Sequence, residues 1–469
     1  MHMFIQGAWQ SSDTLIPVVH PYSGETIQEV PVASPEQLED ALASAVRGAQ
    51  EMRRLSPYER HAILFRAAEM FDNAVDTLAQ TISSESGKPI AEARREASRA
   101  GTLIRLSAFE AAQARGETIP VDAEPGNDGK IAFTIRQPCG VVVAITPFNY
   151  PLLLLLHKVA PALAAGNAVI IKPALQTSMT AIHATRMLIE AGLPEEALQC
   201  VTGPGAKVGM PLCADPRVRK ITFTGSTAVG REITRVAGVK RLSLELGSNA
   251  PLVVLEDADI EEAAISTARA GYVNAGQVCI SVQRVIVDDA HYGSYLDAVR
   301  DHVGAIVVGD PFEDGTQVSS LISEDAATRV DSAIRDAVDA GASLVVGGDR
   351  SGSVIVPAVV ADVQPNMSIF ADELFGPAVG VSRVSGIDEA IHLANQSSYG
   401  LGAGVYTNDI TNSLRFAREV DCGSIQINSP PLWRADLMPY GGLKDSGIGK
   451  EGPKYAVEEM TETKTVVFH

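Results

Sequence analysis

The pattern of apolar and polar positions changes character along the chain. In the first part it has helical spacing. Ile63, Leu64, Ala67, Met70, Phe71, Val75, Leu78 and Ile82 recur at intervals that predict one long amphipathic helix. Two helix starts are legible: Ser34-Pro-Glu-Gln37 and Ser56-Pro-Tyr-Glu59 are capping boxes with proline at the first helical position. From about residue 136 short β-branched runs alternate with helical stretches. Val141–Thr146, Ala168–Lys172, Leu198–Val201, Lys220–Thr224 and Arg241–Leu246 read as strands. Helices read from Pro151 to Ala165, Ser178 to Ala191, Ala206 to Cys213 and Thr227 to Ala237, with Gly166 and Gly192 stopping the first two. The alternation continues from Leu252 to about Gly423. Such a pattern predicts parallel sheets covered on both faces, with ligands at the carboxyl ends of strands. Asp122–Lys130 is turn-rich and reads as the tip of a hairpin between Thr118 and Ile135. Glu462–Phe468 alternates like an exposed strand that needs a partner.

The residues just past those strands hold the candidate chemistry. Cys279, in NAGQVCIS, follows a predicted helix that starts near Asp259 and is broken by Gly276. A thiol is a nucleophile as thiolate, so an electropositive setting is expected around it. Glu245 ends an apolar strand and is followed by Gly247; partial burial there makes a general base. Gly225-Ser-Thr-Ala-Val-Gly230 follows a strand and frees backbone N–H groups at a helix start, a seat for pyrophosphate. Asn149, in TPFNYP, has an amide that can donate to an oxyanion, and Lys172, in IIKP, can hold ribose or phosphate oxygens. Taken singly, each has a plain structural alternative: a buried apolar cysteine, a helix cap, a tight turn.

Composition narrows the setting. The 469 residues carry a formal charge of −19, which disfavours nucleic acid and anionic membrane as partners. The five cysteines lie far apart with no CxxC pair, so neither a disulfide framework nor a metal site is expected. The start, MHMFIQGAWQSSD, lacks the basic and apolar segments of a signal peptide, and Leu152–Leu156 is too short to span a bilayer. A reduced cytoplasm is the expected location.

Read together, the blocks TPFNYP, HKVAPALAAGN, IIKPA, FTGSTAVG, LELGSNAP, GQVC, ELFGP, YGLGAGVYT and PYGGLKDSGIGKEG resemble the NAD(P)-dependent aldehyde dehydrogenase superfamily over nearly the whole chain. The resemblance implies an α/β fold: a Rossmann-like cofactor domain (1–117 and 136–246), an α/β catalytic domain (247–450) and a β oligomerisation arm (118–135 and 451–469) that joins subunits into a homodimer or homotetramer. It implies that Cys279 attacks a small-molecule aldehyde while Asn149 and the Cys279 N–H hold the oxyanion. Glu245 then activates water, and Lys158 and Glu451 form a proton exit. NAD or NADP would lie along Thr146, Pro147, Phe148, Lys172, Leu175 and Gly205, with Gly225 and Ser226 at the pyrophosphate. Leu246, Glu373 and Phe375 would border the nicotinamide end. No metal is implied.

One position departs from the family. NAD-preferring members often carry Glu three residues after the lysine of the Lys-Pro block, and Leu175 stands there instead. Without that carboxylate a 2′-phosphate is not repelled, so NADP is expected to be tolerated or preferred. ELGSNAP, VCISVQR and RADLMPYGG resemble a branch that includes lactaldehyde and related small hydroxy- or anionic-aldehyde dehydrogenases. Arg434 falls near the expected substrate mouth with Tyr150, and a guanidinium there can grip a carboxylate, sulfonate or phosphonate. Val278 replaces the arginine that members acting on phosphorylated aldehydes often carry. A short polar aldehyde, in its sharper form an anionic one, is the expected substrate. The alternatives are a CoA-acylating dehydrogenase, against which Glu245 counts, a cofactor-independent thiol esterase, and a non-catalytic relative.

Overall fold

The computed structural model describes residues 1–469. Two α/β layers and a small β arm form the molecule. The first sheet has eight strands in the order Ala8–Gln10, Met3–Ile5, Leu198–Cys200, Ala168–Lys172, Val141–Ile145, Val218–Thr224, Arg241–Glu245 and Gly447–Ile448. Its five central strands are parallel. Val141–Ile145 and Ala168–Lys172 are buried at every position, because helices cover both faces of the sheet. Chain order reverses between Val141–Ile145 and Val218–Thr224, which are direct neighbours. That crevice is where a doubly wound sheet holds its ligand, and Thr146 and Gly225 lie on its two lips.

The second sheet runs Ser343–Val346, Ala358–Ala361, Ala378–Val384, Arg284–Asp288, Pro251–Val254, Gly402–Tyr406 and Ser424–Ile427, parallel except at the first edge. Both predicted capping boxes are present, Ser34 with Gln37 and Ser56 with Glu59. The long helix expected through Ile82 is instead two helices, Pro57–Asn73 and Val75–Ser86, broken at Ala74 with φ −106° and ψ 12°. Apolar periodicity passes through the break because both helices bury the same side, so the pattern alone hides the bend. The stretch read as a helix from Ala206 starts as a π-turn, Gly205–Gly209, before Met210–Ala214. Pro211 has no N–H to donate back to Lys207, and the wider turn absorbs the missing bond.

The third sheet pairs Thr461–Phe468 with Ile131–Pro138 over all eight residues and adds Thr118–Ile119. The C-terminal strand therefore finds its partner in its own chain rather than first in a neighbour. Other tail residues do not join the arm. Gly447–Ile448 pairs with Arg241–Glu245, and the helix Pro453–Glu459 packs on the helices Ala100–Ala112 and Leu153–Ala164. The segment between the two main layers and the arm thus returns to the first sheet and carries Glu451 with it. No helix is long and apolar enough to cross a membrane.

Candidate active site

The helix from Asp259 ends at Ala270 rather than at Gly276. Asn274 and Ala275 then adopt left-handed backbone with φ of 51° and 54°, and Gly276 follows at 71°. A Cβ on Gly276 would lie 2.1 Å from the Gly376 carbonyl oxygen, so only glycine lets the turn press against that loop. The strained turn is tied down: the Asn274 N–H donates to Glu92 Oε2 at 2.9 Å, and the Asn274 amide donates to the Asn149 carbonyl at 3.2 Å. It delivers Cys279 to the wall of a cavity of about 300 Å³.

Asn149, Tyr150, His157, Arg99, Arg434 and Tyr440 share that cavity with Cys279. One N–H of the buried Asn149 amide donates to the Gln277 carbonyl at 2.8 Å, which leaves its second N–H free. Cys279 Sγ lies 3.0 Å from the Tyr440 hydroxyl. The electropositive setting expected from the sequence is not what surrounds the thiol. Burial pushes Cys279 up to about 12; Tyr440 and Arg434 work against the rise, while the Glu373 and Glu245 carboxyls add to it. The resting sulfur is a protonated thiol.

Glu245 is 3% exposed, and neither carboxylate oxygen has a hydrogen-bond partner. Burial first, then the neighbouring Glu451 charge, raises it well above the ordinary carboxylate range, against the pull of Lys158, Arg434 and Lys450. A Cβ on Gly441 would come within 2.8 Å of Glu245 Oε1, so this glycine keeps the space beside the carboxylate open. Lys158 and Glu451 form a buried ion pair at 2.5 Å, and Lys158 also donates to Thr224 Oγ1 at 2.6 Å. Burial alone would raise Glu451, but Lys158, His157 and Arg434 hold it well below its usual value.

Arg434 is neither a surface nor an arm residue. Its side chain is 12% exposed, its guanidinium stacks 3.8 Å from the Tyr440 ring centroid, and it stands 3.5 Å from Glu451. Arg99 pairs with Asp436 at 2.5 Å, and His157 approaches the same carboxylate at 3.4 Å. Burial first, then the Arg434 charge, lowers His157 below its ordinary imidazole range, against the pull of Asp436 and Glu451. Tyr150 packs beneath the Lys88 ammonium, 3.7 Å from its ring centroid.

The expected cofactor residues converge on the crevice of the first sheet. Lys172 ends its strand buried, and burial alone lowers it to about 8 with no carboxylate offsetting the loss. Leu175 opens the 3-10 turn that follows, and the Thr146 N–H donates to the Lys172 carbonyl at 3.2 Å. Gly205 begins the π-turn, and a Cβ there would meet nothing within 4 Å. Gly225 precedes Ser226, whose hydroxyl caps the helix Thr227–Val236 by accepting from the Val229 N–H. Leu246 fills the gap under Gly230, where a Cβ would stand 2.4 Å from its methyl. Glu373 accepts from the Ser248 N–H at 2.9 Å, and burial lifts it to about 7. Phe375, at φ 50°, meets Phe148 edge-on at 5.9 Å, with Pro147 half-buried beside them. Sequence reasoning missed Tyr440, His157 and Arg99. The first two lie inside the PYGG and HKVAPALAAGN blocks; Arg99 sits at the turn between the helices Ile90–Ser98 and Ala100–Ala112, with no motif to mark it.

Comparison with known proteins identifies the family. The model of the aldehyde dehydrogenase family matches residues 9–466. A 3-sulfolactaldehyde dehydrogenase of Priestia aryabhattai is 40% identical over 467 residues, covering 100% of this chain and 98% of its own. A lactaldehyde dehydrogenase of Methanococcus maripaludis is 40% identical over 471 residues, with full coverage of both. The structure of NADP-dependent glyceraldehyde-3-phosphate dehydrogenase from Bacillus halodurans, complexed with NADP, superimposes with TM-score 0.98 at 34% identity, covering 100% of this chain and 99% of that one. With a matching fold and a matching sequence from end to end, the chain belongs to the aldehyde dehydrogenase family and is an NAD(P)-dependent aldehyde oxidoreductase.

Proposed function

We propose that the protein oxidises a short polar aldehyde, in its sharper form an anionic one, of the lactaldehyde, sulfolactaldehyde or semialdehyde type, to the carboxylic acid and hydrolyses its own thioester. The observation that carries this reading is the part-buried Arg434 guanidinium in the same small cavity as Cys279, with Arg99 also on its wall. Cys279 Sγ gives its proton to water in the cavity and bonds the aldehyde carbon, and the free Asn149 N–H with the Cys279 backbone N–H holds the resulting oxyanion. Bound NAD(P) supplies the acceptor for the hydride that leaves that carbon. Glu245 takes a proton from water, the hydroxide displaces Cys279, and the acid departs. Lys158 and Glu451 give that proton a buried route onward. The carboxylate of Glu245, whose oxygens have no hydrogen-bond partner, favours hydrolysis over transfer to CoA because it can serve as a base for water.

The NAD(P) site fits the residues present. Lys172 is a buried ammonium with no carboxylate partner, suited to ribose or phosphate oxygens, and Gly225 and Ser226 open a helix N-terminus toward the crevice. Leu175 leaves a 2′-phosphate unopposed, so NADP is tolerated or preferred. The decisive experiment runs lactaldehyde, 3-sulfolactaldehyde and succinic semialdehyde with each cofactor and assays acid with and without CoA. Free acid is expected without CoA. A preference for NAD above about 100-fold in kcat/KM, ~2.7 kcal/mol, contradicts the cofactor reading. Arg434→Ala is expected to raise KM for the anionic aldehydes about tenfold or more. An unchanged KM for all of them would remove the anion from the proposal.

The arm supports a homodimer or homotetramer, and the enzyme's place is taken to be the cytoplasm. The outer edge of Thr461–Phe468 is unpaired in the sheet, and Ile131, Ile135, Val467 and Phe468 are exposed on it. Sedimentation of a monomer at micromolar concentration would refute the assembly.

A further inference from the structure

Tyr440 is buried, and its hydroxyl has one partner, Cys279 Sγ at 3.0 Å. We infer that this hydroxyl binds a hydroxyl group on the second carbon of the substrate, so that the aldehyde accepted is a 2-hydroxyaldehyde. The inference rests on the proposed role of Cys279 as the atom that bonds the aldehyde carbon.

The argument follows the sulfur through the reaction. A thiol or thiolate accepts a hydrogen bond from Tyr440; a sulfur bonded to two carbons accepts one poorly. Once Cys279 is joined to substrate, the buried phenol loses its partner, and an unpaired buried hydroxyl is costly. Leu153, Val278, Ile280 and Leu432 are apolar, the Asn149 amide is taken by Gln277 and the oxyanion, and none of the polar wall groups other than Sγ hydrogen-bonds to Oη. The substrate must supply the new partner. The second carbon is bonded to the one that sulfur attacks, so a hydroxyl on it falls in the same shell around Sγ that Oη already occupies. Arg434 extends the match, because its guanidinium stacks over the Tyr440 ring, 3.8 Å from the centroid, and lines the same cavity as Cys279. Sulfur, phenol and guanidinium thus share one small space, as carbonyl, hydroxyl and terminal anion share a three-carbon chain.

The test uses lactaldehyde and propanal, which differ only in the hydroxyl on the second carbon. Because both must be attacked by the same sulfur, the ratio of their kcat/KM values cancels any effect of Tyr440 on the thiol itself. The intact enzyme is expected to prefer lactaldehyde by about tenfold or more, and Tyr440→Phe to bring the ratio close to one. A ratio near one in the intact enzyme, or a ratio that Tyr440→Phe leaves unchanged, overturns the inference while the reading as an aldehyde-oxidising enzyme stands. The first of these outcomes needs no variant and holds even if Tyr440→Phe fails to fold. Turnover of neither aldehyde, nor of the wider panel, would take the proposed function and this inference down together.

Discussion

Cys279→Ser is expected to lower kcat/KM by at least about 10⁴-fold, ~5.5 kcal/mol, while leaving the protein folded and able to bind NADP. Serine keeps the size of the side chain and can accept the same bond from Tyr440, so the strained turn at Asn274, Ala275 and Gly276 is not asked to change. What changes is the nucleophile. Burial already holds the thiol at about 12, and no basic side chain hydrogen-bonds to Sγ in the resting site. A serine hydroxyl starts from a higher pKa than a thiol and has no more help, so its oxyanion is not reached. Retained cofactor binding with lost turnover separates the chemical role from a folding defect. A variant that kept more than a tenth of the native kcat/KM would remove the sulfur from the reaction and with it the mechanism proposed for the site.

Much of this arrangement was legible in the residue pattern, and the losses have physical reasons. The strands Val141–Ile145 and Ala168–Lys172 were readable because both of their faces are buried, which writes a nearly uninterrupted apolar, β-branched run. The break at Ala74 was not, since two helices that bury one common side preserve the periodicity across the joint. The helix from Asp259 stops at Ala270, short of the Gly276 that the pattern marks, because the turn that aims Cys279 already begins there and is pressed against the loop at Gly376.

At the site itself, single residues pointed to roles but not to their states. Glu245 and Cys279 stand at strand and turn ends, which sequence can mark. That one is a carboxyl with no partner and the other a thiol held protonated depends on how completely helices and loops exclude water, and no local pattern records that. Arg434 shows the same limit. A loop arginine after Trp433 looks like surface, yet Tyr440 and Glu451, both further along the chain, fold it inward. Under the proposed function, the anionic end of the substrate would be read by a residue whose enclosure is a purely tertiary fact.

Glu245→Gln is expected to separate the two halves of the reaction. The variant should still release a rapid burst of reduced cofactor close to one equivalent per site, because sulfur attack and oxyanion binding use Cys279 and Asn149. Steady-state turnover should then fall by roughly 10²–10³-fold as thioester accumulates, the size of effect that loss of a positioned general base produces. The pH dependence gives a second reading. Burial and the Glu451 charge raise Glu245 above the ordinary carboxylate range, so at low pH it is a neutral acid that cannot take a proton from water. The hydrolytic step should therefore speed up as pH rises through that elevated value and level off above it, and in the glutamine variant this rise should disappear. Glutamine is nearly isosteric and uncharged, so it leaves the Lys158–Glu451 pair intact and removes only the repulsion that raised Glu245. Loss of the burst along with turnover would place Glu245 in the first half instead, as the group that takes the Cys279 proton. An undiminished steady state would leave hydrolysis to another base, of which the nearest buried carboxylate, Glu451, is held in its ion pair with Lys158 and has no free oxygen to offer that is not also facing Arg434.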